Sequence, residues 1–466
     1  MRYDYVIVGS GPTGLSLAYT LSKNNYSVCL IEKYHTLGGS WNSEWIDNKY
    51  FTENAPRILS GEGPHMDFLY EIGMNENDFQ DVYGSILETN IKIFNFVKKY
   101  FSLEDYFIFV KESLLYKLRP NNLLLQEWMD QSNLSDRAKQ CLRIISITIC
   151  DTPKNTNHHD FFGEVSYVNL TQMKEPNKWL NILQKHFEGT DIKIHINTLV
   201  KSIREKNNSV SNVTCIKNGT ELNINTKNVV LCTQSDGIYP ILKSSSFSIQ
   251  NNWYSLSEMK KWSENTHYNG FGFQLHFKEK VEYPEEWCWS CISEWNIIIL
   301  PVSEWLSLYS KDKDIKTVWS CCIVDMETRS KHINKSPNEC NENEIINEIL
   351  YQLMNLNIRI PKPDIVTISP NLKNINGKWK SNNTGFTRKN YDYLPIEGKV
   401  YGLYALGCFT DPGYNTIAYM KTAVESVKIF LNKYHNIKGF HNNNKNNDIY
   451  YLILILIIII YVKIYI

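Results

Sequence analysis

The sequence lacks net charge, because 49 lysines and arginines balance 49 aspartates and glutamates over 466 residues. Proteins that gather nucleic acid use an excess of positive charge, so we expect no nucleic-acid partner. We also expect no secretory leader, since Met1 runs into the apolar segment 5–8 without a basic start or a small-residue cleavage site. We therefore expect the chain to be made in the cytosol and its catalytic part to be cytoplasmic.

The cysteines lack the pattern of a disulfide framework. There are eleven, an odd number scattered along the chain, which favours reduced thiols. Cys288 with Cys291, and Cys321 with Cys322, are the sulfur pairs closest to a zinc-site spacing. Both pairs lie in β-type patterns, where spacings of three and one place side chains on opposite faces. We therefore predict buried structural cysteines and no metal site.

Internal repeats are absent as well, and the length suggests two or three domains. The chain begins with an apolar segment, 3–8, that predicts a buried strand. A glycine-rich turn follows, then a helical segment, 15–23, and a second apolar strand, 27–31, which ends on Glu32. This order predicts a β-α-β unit in a parallel sheet.

The middle of the chain changes pattern twice. Apolar residues at helical spacing over about 54–187 predict a mostly helical insert. Four further strands are predicted by apolar segments between Asn-Gly and Asn-Asn turns: 192–196, 210–216, 221–225 and 229–232. Polar and apolar residues alternate over about 247–369, which indicates an antiparallel sheet with one covered face. Segment 403–407 predicts a last strand, and 415–433 a last helix.

A polar linker, 441–448, leads to an apolar tail, 449–466, interrupted by Lys463. At 1.5 Å per residue the tail reaches about 25 Å, just short of the hydrocarbon thickness of a bilayer unless Lys463 extends to the far interface. We favour a single-pass membrane anchor, and a strand-like extension or a docked C-terminus stays open as the alternative.

The glycine turn carries the first chemistry. Gly9 suits a tight turn, Gly11 leaves room for a pyrophosphate, and Gly14 allows a helix to pack closely on a strand. The following helix would point its amides at the phosphates, and Glu32 would accept both hydroxyls of a ribose. Together these features predict a dinucleotide site whose residues include Gly9, Gly11, Pro12, Thr13, Gly14, Glu32 and Lys33.

Six residues beyond Glu32 the sequence continues as Gly38-Gly39-Ser40-Trp41. This combination resembles the extended FAD fingerprint of the glutathione reductase-like flavoproteins, and especially of the branch with amine oxidases and phytoene desaturases. The resemblance implies a Rossmann-like FAD-binding domain, a second domain of antiparallel sheet and helices for the substrate, and noncovalent FAD. It assigns Gly38, Gly39, Ser40 and Trp41 to the cofactor.

Later segments match the family in order and approximate position. The resemblance implies that the backbone of Val200 pairs with the adenine and that Thr233 ends the strand returning beneath the cofactor. Near the end it implies a second signature at the flavin, in which a helix N-terminus faces the ring. Its residues here are Gly407, Cys408, Asp411, Asn415 and Thr416.

This second signature departs from the family at one position. Members usually have an acid directly after the glycine to bind a ribityl hydroxyl, whereas this chain has Cys408. Asp411 is the candidate substitute, and the contact being lost is the alternative. The Ser-Gly-Gly-Cys-Tyr context of covalently modified amine oxidases is absent.

Arg57 ends the segment Glu53-Asn-Ala-Pro-Arg57, which in the family runs under the flavin towards the substrate cavity. We include Arg57 among the cofactor residues, with contact to an acidic substrate or a place on the surface as alternatives. No catalytic acid or base is identifiable. We expect His158 and His159 to be surface residues and His276 to be a strand residue.

These features predict a discontinuous FAD-binding domain (1–60, 185–245 and 380–436) and a substrate domain (61–184 and 246–379), followed by the linker and tail (437–448 and 449–466). The expected function is an FAD-dependent oxidase or dehydrogenase of a small organic substrate. One alternative is an NADPH-dependent flavin monooxygenase, because Gly38-Gly-Ser-Trp41 also resembles the Gly-Gly-x-Trp of that group. The second glycine triplet of that group is missing, since Gly270-Phe-Gly272 has no third glycine. A mutase-like use of reduced flavin and a non-catalytic FAD-binding protein are further alternatives.

Overall fold

The computed structural model describes residues 2–82, 95–120, 122–149, 151–164, 170–284, 293–355, 360–370, 372–381, 386–387, 393–410 and 420–437. The strands are β1 (Arg2–Val8), β2 (Val28–Ile31), β3 (Ser43–Ile46), β4 (Tyr50–Glu53), β5 (Leu59–Ser60), β6 (Phe79–Asp81), β7 (Leu170–Met173), β8 (Lys193–His195), β9 (Thr198–Lys206), β10 (Ser209–Lys217), β11 (Thr220–Leu231), β12 (His267–Tyr268), β13 (Phe271–Phe277), β14 (Ile298–Leu300), β15 (Thr317–Ile323), β16 (Ile365–Ile368), β17 (Leu372–Asn374), β18 (Trp379–Ser381), β19 (Phe386–Thr387) and β20 (Leu403–Ala405). The α-helices are α1 (Pro12–Lys23), α2 (Pro64–Glu71), α3 (Leu103–Leu115), α4 (Leu125–Gln131), α5 (Asp136–Ile149), α6 (His158–Glu164), α7 (Lys178–Glu188), α8 (Ser235–Lys243), α9 (Phe247–Gln250), α10 (Leu256–Thr266), α11 (Glu342–Met354) and α12 (Met420–His435).

The largest sheet has the strand order β8-β2-β1-β11-β10-β9, with β20 also paired to β11. Strands β8, β2, β1, β11 and β20 run parallel to their neighbours, whereas β9 and β10 are antiparallel. The five parallel strands therefore end at one common edge. The predicted β-α-β unit is confirmed, with α1 connecting β1 to β2.

The parallel strands are covered on both faces, which explains their continuous apolar sequence. Tyr5 and Ile7 of β1 face a core cluster that includes Leu15 of α1 and Phe430 of α12. The alternate residues of β1 face a second cluster, which receives Trp262 of α10. Successive side chains of a strand point to opposite faces, so one short segment contributes to two cores.

A four-stranded antiparallel sheet, with the order β14-β15-β13-β16, confirms the antiparallel sheet predicted for the middle of the chain. The expectation that only one face is covered is wrong, because every residue of β13 and β15 is buried. Cys321 belongs to the large cluster on one face, together with Trp319. Cys322 belongs to a small cluster with Ala55 and Ile147. The two adjacent thiols thus lie on opposite faces, as their spacing predicts, while Cys288 and Cys291 lie outside the described residues. Among the described residues, no cluster of side chains could hold a metal ion.

The predicted helical insert contains helices α2 to α7, and it also contains the short strands of a sheet ordered β5-β7-β6. The expectation that His158 and His159 lie on the surface is wrong, because they are 0% and 5% exposed. His158 lies 2.9 Å from the carboxylate of Glu112, and His159 is hydrogen-bonded to the carbonyl of Arg119. These polar partners allow both imidazoles to be buried.

No helix within the described part of the chain is long and apolar enough to cross a membrane. The polar linker and the apolar tail fall in 438–466, outside the described residues. The described residues therefore give the predicted anchor no support.

Candidate cofactor site

The predicted cofactor residues meet at the carboxyl edge of the parallel strands. Gly9 follows β1, Glu32 follows β2, Thr233 follows β11 and Gly407 follows β20. These strands are neighbours in the sheet, so residues from three distant parts of the sequence border the same edge. In open α/β sheets, ligands bind in the crevice outside this edge.

The three glycines of the turn have different surroundings. A Cβ on Gly14 would lie 1.9 Å from the carbonyl oxygen of Gly9, so α1 packs directly on the turn. Gly9 has a φ of +100°, and its Cβ would lie 2.8 Å from the carbonyl oxygen of Cys232. A Cβ on Gly11, in contrast, would meet no atom of the described residues within 4 Å. The open space lies where the sequence predicts a pyrophosphate.

Helix α1 begins beside this open space. Gly11 is its N-cap residue, no side chain caps the first turn, and Pro12 is at the first helical position. The hydroxyl of Thr13 donates a hydrogen bond to the carbonyl of Ala423 in α12. The first amides of α1 are therefore available, with the positive end of the helix dipole, to an anionic group.

Glu32 joins the glycine turn to the end of β2. Its side chain is buried, and one carboxylate oxygen accepts hydrogen bonds from the amide and the hydroxyl of Ser10, at 2.8 and 2.6 Å. The other oxygen accepts from the amide of Tyr34 at 3.0 Å. A carboxylate has about four acceptor positions, so capacity for a ribose hydroxyl remains. The neighbouring Lys33 is exposed, with its ammonium 4.8 Å from the centre of the Tyr34 ring.

The double glycine lies against the same turn. The amide of Gly38 donates to the carbonyl of Ser10 at 2.8 Å, and Gly38 has a φ of +104°. A Cβ on Gly39 would lie 3.1 Å from the Cα of Gly11. A short 3₁₀ turn, Gly39–Trp41, follows. The two glycine motifs thus form one continuous surface at the sheet edge.

Arg57 is buried behind this surface, with 10% of its side chain exposed, so the alternative of a surface arginine is wrong. It donates hydrogen bonds to Glu53, to the carbonyl of Ser40 and to the hydroxyl of Ser43. Its guanidinium also lies 5.3 Å from the centre of the Trp41 ring. Arg57 therefore fixes the loop that carries the double glycine, and its charge is neutralised by Glu53.

Val200 and Thr233, the two predicted cofactor residues from the middle of the chain, lie on β9 and after β11. Val200 is buried in β9, opposite Cys215 of β10. Thr233 is the second residue after β11, and its amide nitrogen is 3.1 Å from the Cβ position of Gly9. The structure brings Thr233 to the glycine turn.

The second signature is partly described. Gly407 follows β20 with a φ of +153°, and its carbonyl accepts hydrogen bonds from the amide and hydroxyl of Thr410. Cys408 is half-buried and forms no disulfide bond with another described cysteine. Asp411, Asn415 and Thr416 lie outside the described residues.

Other thiols near the sheet are unreactive for a physical reason. Burial raises the pKa of Cys29 and of Cys215 to about 12, and it raises the pKa of Cys232 still further. These thiols therefore stay protonated at neutral pH.

Two partners in the site were missed in the sequence. Ser10 binds Glu32 through both its amide and its hydroxyl, but any residue type can stand between the first two glycines. Glu53 pairs with Arg57, and their i, i+4 spacing was the available signal.

Comparison with known proteins begins with the N-terminal part. A family model described as an NAD(P)-binding Rossmann-like domain matches residues 7–72. The thiamine thiazole synthase of Pyrococcus horikoshii is 26% identical to this chain over 112 residues, which are 21% of this chain and 41% of that protein. The chain thus spans less than half the length of this curated relative.

Solved structures are similar over most of the chain. An oxidoreductase from Methanosarcina mazei has a TM-score of 0.65 at 14% identity, covering 92% of this chain and 100% of that one. Putrescine oxidase bound to putrescine has a TM-score of 0.60 at 13% identity, covering 93% and 99%. Cyclohexylamine oxidase from Brevibacterium oxydans has a TM-score of 0.55 at 11% identity, covering 92% and 100%. These similarities confirm the predicted fold, a Rossmann-like domain combined with an antiparallel sheet and helices.

Proposed function

We propose that this protein is an FAD-dependent oxidoreductase, an oxidase or dehydrogenase that takes a hydride from a small organic substrate. The observation that carries the proposal is the open space at Gly11, between an uncapped helix N-terminus and the double glycine. Glu32 stands at the next strand end with acceptor capacity left for a ribose. These residues fit a dinucleotide, and bound FAD would supply the hydride acceptor.

In this proposal each group of residues has a separate task. Gly9, Gly11, Pro12, Thr13 and Gly14 hold the pyrophosphate, while Glu32 and Lys33 hold the adenosine ribose. Val200 and Thr233 border the adenine side. The loop of Gly38, Gly39, Ser40 and Trp41, fixed by Arg57, lies on the flavin side of the pyrophosphate. Gly407, Cys408, Asp411, Asn415 and Thr416 border the flavin, which is held without a covalent bond.

The substrate class is supported by the fold neighbours. Putrescine oxidase and cyclohexylamine oxidase share the fold over more than nine tenths of this chain. We therefore propose an amine-like small molecule, oxidised in a domain built from 61–184 and 246–379. The FAD domain is assembled from 1–60, 185–245 and 380–436.

Rapid-mixing reduction of the FAD-loaded protein tests the reaction class. Anaerobic mixing with a panel of primary amines should bleach the flavin absorbance, and NADPH alone should not. Bleaching by NADPH would instead favour a flavin monooxygenase, the group whose Gly-Gly-x-Trp motif Gly38-Gly-Ser-Trp41 also resembles. If neither NADPH nor any amine of the panel reduces the flavin, the result would favour an FAD-binding protein without catalysis.

A further inference from the structure

One carboxylate oxygen lies beside the loop of Gly38, Gly39, Ser40 and Trp41, here called the cofactor loop, and has no hydrogen-bond partner among the described residues. Both nitrogens of Arg57 that contact Glu53 contact the same oxygen, Oε2: Nε at 2.8 Å and Nη2 at 2.7 Å. Oε1 of Glu53 is buried and has no hydrogen-bond partner among the described residues, and the side chain is only 3% exposed. An arginine fork usually engages both oxygens of a carboxylate, so this arrangement leaves one acceptor open. An unpaired buried acceptor is costly and calls for a donor.

A small cavity adjoins this carboxylate. It is lined by Trp41, Glu53, Arg57, Gln172, Met173, Pro176, Val302 and Leu306. The space for the centre of a water molecule is about 10 Å³, which is room for one water or one group of that size. The amide ends of Gln172 are already used, by the carbonyl of Arg57 and the amide of Met173. Oε1 accepts no hydrogen bond from any of these lining residues, so a donor group that enters the cavity would satisfy it.

The charges around the cavity select the kind of donor. Glu53 and Arg57 already form a neutral pair, and the remaining wall includes Met173, Val302 and Leu306. A cation entering this space would be buried without a counter-charge, which is unfavourable. A neutral O–H or N–H group would satisfy the oxygen without adding charge.

We propose that this cavity is a binding subsite in which Glu53 Oε1 accepts a hydrogen bond from a neutral O–H or N–H group. The donor belongs to the substrate or to the FAD, because Trp41 and Arg57 join the cavity to the cofactor loop. The subsite rests on the proposed function. It adds a specificity-determining residue, Glu53, to that function.

Glu53→Gln tests the subsite through the groups that the cavity prefers to bind, because a purely structural role of Glu53 would not change that preference. The arginine requires an acceptor, so the Gln oxygen will face Arg57 and its NH₂ group will face the cavity. The substitution thus converts the cavity from an acceptor site to a donor site. Glu53→Asp is the second variant, which keeps the charge and withdraws the oxygen by one methylene group.

The experiment has two arms. In the first, quenching of flavin fluorescence measures the affinity of the apo-protein for FAD, and a loss of about 10-fold or more in Glu53→Gln assigns the donor to the cofactor. In the second, the FAD-loaded proteins are titrated with methanol, acetonitrile and ammonium chloride, and the flavin difference spectrum is recorded. The donor is assigned to the substrate if the wild type binds methanol, a hydrogen-bond donor, saturably and Glu53→Gln prefers acetonitrile, which can only accept.

Glu112→Gln is the matched control, because Glu112 is another buried acid that pairs with an arginine, the exposed Arg119, in the helical region. It should leave both arms unchanged. The subsite is contradicted if wild type, Glu53→Gln and Glu53→Asp agree within about twofold in both arms, or if ammonium binds better than methanol. If the wild-type protein takes up no FAD, the proposed function is overturned together with the subsite. If it takes up FAD but the Glu53 variants behave like the wild type, only the subsite is overturned.

Discussion

At the scale of single residues, the glycines of the turn serve two different requirements, one of folding and one of cofactor binding. Gly14 is required by the fold, since its Cβ position coincides with the carbonyl region of Gly9. Gly11 has no such neighbour among the described residues, which is the arrangement expected where a ligand requires the glycine. Substituting each glycine by alanine can therefore distinguish folding from cofactor binding.

We predict that Gly11→Ala will keep the stability of the apo-protein within about 1 kcal/mol while lowering its FAD affinity by about 10-fold or more. The added methyl group enters the space reserved for the pyrophosphate. Gly14→Ala should destabilise the apo-protein itself by about 1–3 kcal/mol or more, because the turn has to move. Thermal unfolding without FAD and fluorescence titration with FAD measure the two effects. Equal FAD affinity of Gly11→Ala and wild type would contradict this assignment.

Buried histidines predict acid sensitivity. His276 is fully buried in β13 beside Thr367, and burial lowers its pKa to about 4. An unfolded histidine has a pKa of about 6.5, so between these values only the unfolded chain takes up the proton. Stability is therefore complete above about pH 6.5 and falls as the pH drops towards 4.

We predict that the free energy of unfolding decreases between pH 7 and pH 5 by about 2 kcal/mol less in His276→Gln than in the wild type. The glutamine keeps a polar group near Thr367 and removes the titration. Denaturant unfolding at both pH values measures the difference, with the exposed His35→Gln as the control. A parallel loss of stability in all three proteins would show that His276 does not titrate in this range.

The sequence predicted the residues whose type is fixed by the backbone, and it missed the partners that depend on tertiary contacts. The spacing of Gly9, Gly11 and Gly14 identifies the turn, because the backbone leaves no room for a side chain at Gly9 and Gly14. Nothing local shows that Arg57 is buried, since Ser40 and Ser43 become its partners only after β3 and β4 pair. His158 was misplaced for the same reason, because its burial depends on Glu112, 46 positions away in the printed sequence.

At the scale of elements, strand β4 connects the antiparallel sheet to the cofactor loop. The carbonyl of Glu53 accepts hydrogen bonds from Gln274 of β13 and from the hydroxyl of Ser369. Gly272 of β13 allows this approach, since its Cβ would lie 2.2 Å from both the carbonyl oxygen of Asn54 and the hydroxyl of Ser369. The sheet thus sets the position of Glu53 and Arg57.

We predict that Gly272→Ala will push the end of β4 away from β13, lowering stability by about 1–3 kcal/mol and weakening FAD binding. Gly189→Ala is the control, because its Cβ would make one ordinary contact, 3.5 Å from the carbonyl oxygen of His186. Unfolding and FAD titration should both distinguish the two variants. Unchanged FAD binding in Gly272→Ala would show that the antiparallel sheet does not set the position of the cofactor loop.

Long elements with a clear period were predicted well, and short ones were not. Strands β1 and β2 are continuous apolar segments, so their burial on both faces followed from the sequence. Strands β5 and β6 have two and three residues, too few for any period to emerge within the helical insert. They form because β7, far along the chain, pairs with both.

At the scale of the whole molecule, one sheet edge collects residues that follow β1, β2, β11 and β20. The sequence predicted this collection through the resemblance to flavoproteins, and the parallel pairing of the strands explains it. The division of the chain into two domains stays a prediction. The apolar tail stays a prediction too, and it requires a test of its own.

We predict that residues 441–466, fused to a soluble fluorescent reporter, will carry it to membranes, because the apolar length of about 25 Å approaches that of a bilayer core. Replacing three consecutive isoleucines of 457–460 by asparagine should return the reporter to the cytosol. A diffuse signal from the unaltered fusion would favour the alternative of a docked or strand-like tail.

The most direct test of the central claim is the visible absorbance spectrum of the purified protein. We predict a yellow protein with the two bands of oxidised flavin, whose cofactor is released into the supernatant as FAD when the protein is precipitated with acid. Release is expected because the cofactor is bound without a covalent link. A colourless protein that cannot be reconstituted with added FAD would contradict the account.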